Sequence, residues 1–206
     1  MATAAELRHM RLRFAKLLVG ECGGVAFTIA GRRITAGSFV VVGMSLAVAP
    51  GGLPHGPAAQ RQMRVAVANQ PGLVEARYFA QRNEIQVPSV DYGRTSFQEI
   101  AIVHESTHAV FDYERIRLGT YLEEAAAFIA GAMYAITTGR PLVGVGIFGV
   151  AEAIARTLID GGGGAIAVVT PEQQQQIVGA IRTHPAYAPL AQLPPDTRYL
   201  HNGGRI

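Results

Sequence analysis

The chain has almost no cysteine and almost no lysine. Cys22 is its single cysteine in 206 residues, which excludes an internal disulfide and any Cys-x-x-Cys redox or metal site. Lys16 is its only lysine, so a net charge of +3 rests on arginine, with no long basic run. Charged residues make up 16% of the chain and hydrophobic ones 49%, which argues against a disordered segment. Long uninterrupted apolar runs are missing too. Pro141 to Ile159 carries Glu152 and Arg156 among several glycines, so it reads as a buried loop and helix, with no membrane span expected. Glu6, Arg8, Arg11 and Arg13 interrupt the N-terminus where a signal peptide needs an apolar stretch. The expected location is therefore cytoplasmic, or exported without a recognisable signal peptide. The glycines from Gly161 to Gly164 are not followed by Lys-Ser/Thr, which excludes a phosphate-binding loop of that type.

What is present begins with a basic stretch, Leu7 to Lys16, whose Leu7, Met10, Phe14 and Leu17 fall at helical spacing. It predicts an amphipathic helix with a solvated basic face, and no nucleic-acid partner is expected from it. Val25 to Ala36 alternates around Gly31-Arg32 as a β-hairpin would. Ser38 to Pro50 fits either a helix capped by Ser38 or a buried strand. Gly51 to Pro57 is turn-rich and marks a loop or subdomain boundary. Arg64 to Ala68 and Leu73 to Pro88 predict strands, the latter as two runs hinged at Gln81-Arg82-Asn83 and ended by Pro88, as suits an edge strand.

From Ser96 the pattern turns helical. Ser96 with Glu99, and Thr120 with Glu123, have capping-box spacing, predicting helices to about Arg115 and Thr137. Thr170 followed by Pro171 opens another helix, and the tail is proline-rich and extended. The first of these helices contains the chemistry. His104-Glu105-Ser106-Thr107-His108 places two imidazoles four residues apart, on one helical face and within reach of one ion. Phe97, Ile100, Ala101, His104, His108 and Phe111 share a stripe, so the histidines face the interior or a cleft.

A third ligand is sought on the next helix, which offers Glu123 and Glu124. If Glu123 occupies the third helical position and reaches back to the cap, Glu124 is free to project elsewhere. The uncharged run after it, Ala125 to Ile136, must be buried, and a lone carboxylate entering that core is costly unless a cation meets it. The alternative is a carboxylate at a solvated helix N-terminus, stabilised by the helix dipole.

The run His104 to Tyr113 resembles the active-site helix of thermolysin-like zinc peptidases, and Glu123-Glu124-Ala125 is similar to the segment that carries their glutamate ligand. The resemblance covers about Asn83 to Thr137, and compactness brings the chain closer to small bacterial zincins. It implies a compact α+β zincin-like domain over 1–206, with an N-terminal region (1–57), a metal-binding core (58–140) and a C-terminal lobe and tail (141–206). It also implies Zn2+ as cofactor, His104, His108 and Glu124 as ligands, and a protein or peptide as substrate. Glu105 is then the general base, and Glu84, Ile85, Gln86 and Val87 form the edge strand beside the substrate.

Phe128 stands where those enzymes have a supporting aspartate, so Asp112, one turn after His108, is the expected partner of a ligating imidazole. Tyr113, Tyr121, Tyr134, His184 and His201 could each supply the oxyanion donor, and the sequence does not choose among them. Two other classes compete: a zincin-fold interaction module without turnover, and a basic nucleic-acid-binding domain.

Overall fold

A computed structural model describes residues 2–48, 62–68, 75–142, 144–162 and 165–192. The proposed boundary loop at 51–57 and His201 lie outside them. The order is α1 (Ala4–Gly20), β1 (Ala26–Ile29), β2 (Arg32–Thr35), α2 (Ala36–Ala47), β3 (Arg64–Val67), β4 (Arg77–Phe79), β5 (Glu84–Val87), α3 (Ser96–Glu114), α4 (Thr120–Thr138), α5 (Gly146–Gly161), β6 (Ala167–Val168) and α6 (Pro171–Thr183). A 3-10 helix, Pro185–Gln192, follows α6. The fold is mixed α+β, dominated by helices. No helix among the described residues is long and apolar enough to cross a membrane.

Helices α3 and α4 form the centre. Their approach depends on small side chains: a Cβ at Gly131 would sit 3.1 Å from Ile100 Cγ2. Ala125, Ala126, Ala127, Ala130 and Ala132 are buried along the same helix. Helices α5 and α6 pack on the far side of α4, and the α1–α2 pair on the other flank. In α1, Met10, Phe14 and Leu17 are buried as the helical spacing predicts, Leu7 is partly buried, and Leu18 joins them. Its basic face is only partly solvated. Arg11 is buried, and the Arg13 guanidinium donates to the carbonyls of Val90, Asp91 and Tyr92, so both help hold the fold.

The predicted hairpin forms, with β1 antiparallel to β2 across Ala30-Gly31, both at positive φ. Of the stretch from Ser38 to Pro50, the part to Ala47 lies in helix α2. The helix begins at Ala36, so Ser38 is not its cap but hydrogen-bonds Glu114 instead. At α3 the capping box is shifted by one residue, to Thr95 and Gln98. Helix α6 starts as read, with Thr170 as cap and Pro171 first.

One strand assignment is corrected. The second sheet has the order β3-β5-β4, so Glu84–Val87 is its central strand, not an edge. It pairs in parallel with Arg64–Val67 on one side and antiparallel with Arg77–Phe79 on the other. Pro88 follows the last paired residue and costs the ladder nothing, so its position does not mark an edge. The sheet's edges are β3 and β4, and β4 is the one that lines the groove at the histidines.

Candidate metal centre

The i, i+4 spacing on α3 brings the His104 and His108 rings to 5.2 Å between centroids. Antiparallel α4 brings Glu124 against both. Its Oε2 lies 3.4 Å from His104 Nε2, and its Oε1 lies 3.5 Å from His108 Nε2. One donor atom from each of the three residues lies within 4.8 Å of the others. Donors on a tetrahedral zinc, at bonds of 2.0–2.2 Å, stand about 3.3 Å apart. Two imidazoles and a carboxylate gathered this closely are within reach of one metal ion. The sequence-derived ligand set is brought together.

Glu123 is not the capping residue it was expected to be. Gly119 caps α4 without a side-chain bond, which places Thr120 inside the helix and removes the box. The Glu123 carboxylate is fully buried and meets His108 Nδ1 at 3.0 Å. That bond orients the imidazole and leaves Nε2 toward Glu124, the arrangement ligating histidines commonly use. The carboxylate assigned from sequence to this task was Asp112. Asp112 is buried one turn along α3, where it accepts the Tyr78 hydroxyl at 2.7 Å. Burial opposes protonation of His108. Glu124, Glu123 and Glu105 together outweigh it and push the imidazolium up to about 10.

Glu105 lies beside the ligands, its Oε1 4.0 Å from His104 Nε2. The backbone N–H of Tyr78 on β4 donates to its Oε2 at 2.7 Å. Burial raises the Glu105 carboxyl above the usual range, against the pull of His104 and His108. Phe128 packs its ring edge-on against His104, 4.6 Å between centroids, and so supports the ligand by contact.

The cluster opens into a groove of about 680 Å³. Strand β4 and the turn after it, Arg77 to Gln81, line one side; Ala186, Tyr187, Pro189 and Leu190 line the other. A smaller cavity of about 140 Å³ adjoins it at His104, Glu105 and Tyr187, with Glu75, Phe128 and other apolar side chains as its remaining walls.

Tyr187 is a residue that sequence reasoning missed. Its hydroxyl hydrogen-bonds Glu124, and burial, with Glu124 and Glu105 nearby, holds the phenol in its protonated form. It lies three residues after His184, in a segment marked only for that histidine. Among the described residues, the oxyanion donors proposed from sequence are engaged elsewhere. Tyr113 is bonded to Ser45, Tyr134 to Glu21 and Glu99, and Tyr121 lies under the Arg182 guanidinium. His184 Nδ1 accepts the Ala186 N–H. Glu75 was also missed, because nothing local to it signals the cavity it faces.

No protein-family model, curated protein or solved structure matches this chain.

Proposed function

We propose that this protein is a zinc-dependent metallopeptidase, with His104, His108 and Glu124 as ligands and Glu105 as general base. The observation that carries the reading is the convergence of three metal-type donors beside a further carboxylate, Glu105, in a groove flanked by an edge strand. The resemblance of His104–Tyr113 to the thermolysin-like helix points the same way. Bound there, zinc supplies Lewis acidity, polarising a carbonyl and acidifying water.

The chain's own groups do the rest. Glu123 holds His108 in the tautomer that keeps Nε2 available as a donor. Glu105, anchored by the Tyr78 N–H, takes a proton from water and returns it to the leaving amine. The raised Glu105 carboxyl suits a group that must both accept and release that proton. Tyr187, held protonated over Glu124, offers an O–H toward negative charge developing on the substrate carbonyl. Strand β4, in place of β5, is the edge along which an extended peptide lies.

The test is elemental analysis followed by cleavage. Purified protein should carry about one zinc per chain. A peptide library should be cut by wild type, and Glu105→Gln should lower the rate by about 10²–10⁴-fold with zinc retained. Protein that takes up no zinc from any preparation overturns the proposal. Zinc without cleavage of any peptide leaves a binding module.

A further inference from the structure

The smaller cavity has one polar feature outside the catalytic set. Glu75 lines it together with His104 and Glu105. Its Oε2 accepts the Tyr92 hydroxyl at 3.0 Å, and that same hydroxyl accepts the Ala76 N–H at 3.1 Å. Tyr92 is itself buried, so the carboxylate is held in place. Among the described residues no arginine, lysine or histidine forms an ion pair with Glu75. Half-buried on the wall of an apolar cavity, this carboxylate would gain from a cation there.

The remaining walls show where the apolar part of a ligand lies. Ile100 and Phe97 precede His104 on α3 by about one and two turns, so the cavity runs along that helix away from the ligands. Leu142 and Phe148 continue it, and the same four residues also line a neighbouring apolar pocket with Ser96 and Pro141. Glu75 lies three residues before Tyr78, whose N–H holds Glu105, so its carboxylate enters the cavity from the reacting end. A cavity of about 140 Å³ has room for one apolar side chain, since a cavity of about 150 Å³ holds benzene. A lysine or arginine side chain fits poorly, because its charge would lie at the far, apolar end.

We propose that this cavity reads the free α-ammonium group of a peptide with an apolar first residue. Glu75 accepts from the ammonium while the apolar walls take the first side chain. The inference rests on the hydrolytic reading of the site. The bond cut is the first peptide bond, with water giving its hydroxyl to the acyl carbon and a proton to the departing amine.

Two pentapeptides beginning with leucine, labelled at the C-terminus, test this, one with a free and one with an acetylated N-terminus. Their binding to zinc-loaded Glu105→Gln protein is read by fluorescence anisotropy, and their cleavage with wild type. The free form should bind at least about tenfold tighter, and adding Glu75→Gln should bring the two to within about twofold. Replacing the first leucine by aspartate should weaken the free form. Equal binding of free and acetylated peptides overturns the inference, as does a preference that survives Glu75→Gln. Circular dichroism checks that the variant folds; if it does not, the free-to-acetylated ratio in the parent protein decides alone. Preferential binding of the free form without cleavage removes the hydrolytic reading and keeps amine recognition. Efficient cutting inside acetylated peptides does the reverse.

Discussion

Two polar clusters join α3 to α4, one at each end of the helix pair, and they are built differently. At the start of α3, Glu99 pairs with Arg140 at 2.8 Å, and Arg140 also reaches Glu21 at 3.2 Å. The Tyr134 hydroxyl donates to both carboxylates. Two carboxylates there share one permanent cation, and the group ties three segments together. At the other end, Glu105, Glu123 and Glu124 gather around His104 and His108, whose positive charge depends on bound protons. The first cluster carries its own counter-ion. The second has the donor set of a site that accepts one from solution.

The sharpest way to break this contrast is to remove Glu124. Glu124→Ala should abolish stoichiometric zinc, as measured by elemental analysis after dialysis, whereas Glu123→Gln should keep the ion with affinity lowered by about 10–100-fold. If the two variants lose zinc equally, Glu123 is a ligand and the assignment of the pair is wrong.

The next effect concerns Tyr187, the tyrosine beside Glu124. Tyr187→Phe should reduce peptide hydrolysis by about 10²–10³-fold, mostly in kcat, with zinc content and thermal midpoint unchanged. A loss confined to KM would make Tyr187 a binding group instead.

The smallest effect is expected at the self-balanced end. Arg140→Met leaves two carboxylates facing each other at a partly exposed site, so it should cost about 1 kcal/mol of stability by denaturant unfolding. It should leave zinc binding untouched. A variant that also lost zinc would show that the clusters communicate along the helices.

The clustering of His104, His108 and Glu124 was legible mostly from local pattern, although the capping role that was to set Glu123 apart is not what it does. A four-residue repeat on a helix fixes which side chains share a face, and the uncharged run after Glu124 marks a carboxylate with nowhere polar to go. Tertiary context decided what was missed. Thr120 and Glu123 have the spacing of a capping box, yet the helix begins one residue earlier, and the buried imidazole of His108 is a better partner for Glu123 than a backbone N–H. The four residues Glu84–Val87 read as an edge strand because nothing nearby reveals the parallel pairing with Arg64–Val67. Tyr187 and Glu75 reach the site from either side of the motif, through chain folding that no local pattern encodes. The hairpin and the cap of α6, both set within a few residues, were read correctly in outline.

Tyr78 joins β4 to α3 at two points. Its backbone N–H is fastened to Glu105 and its hydroxyl to Asp112, two points on one helix about 10 Å apart. A plate held by one rivet can swivel; held by two, it keeps its angle as well as its place. Strand and helix are joined in the second way, so the width of the groove is set by the joint itself, and loosening either fastening would let the jaw turn about the other.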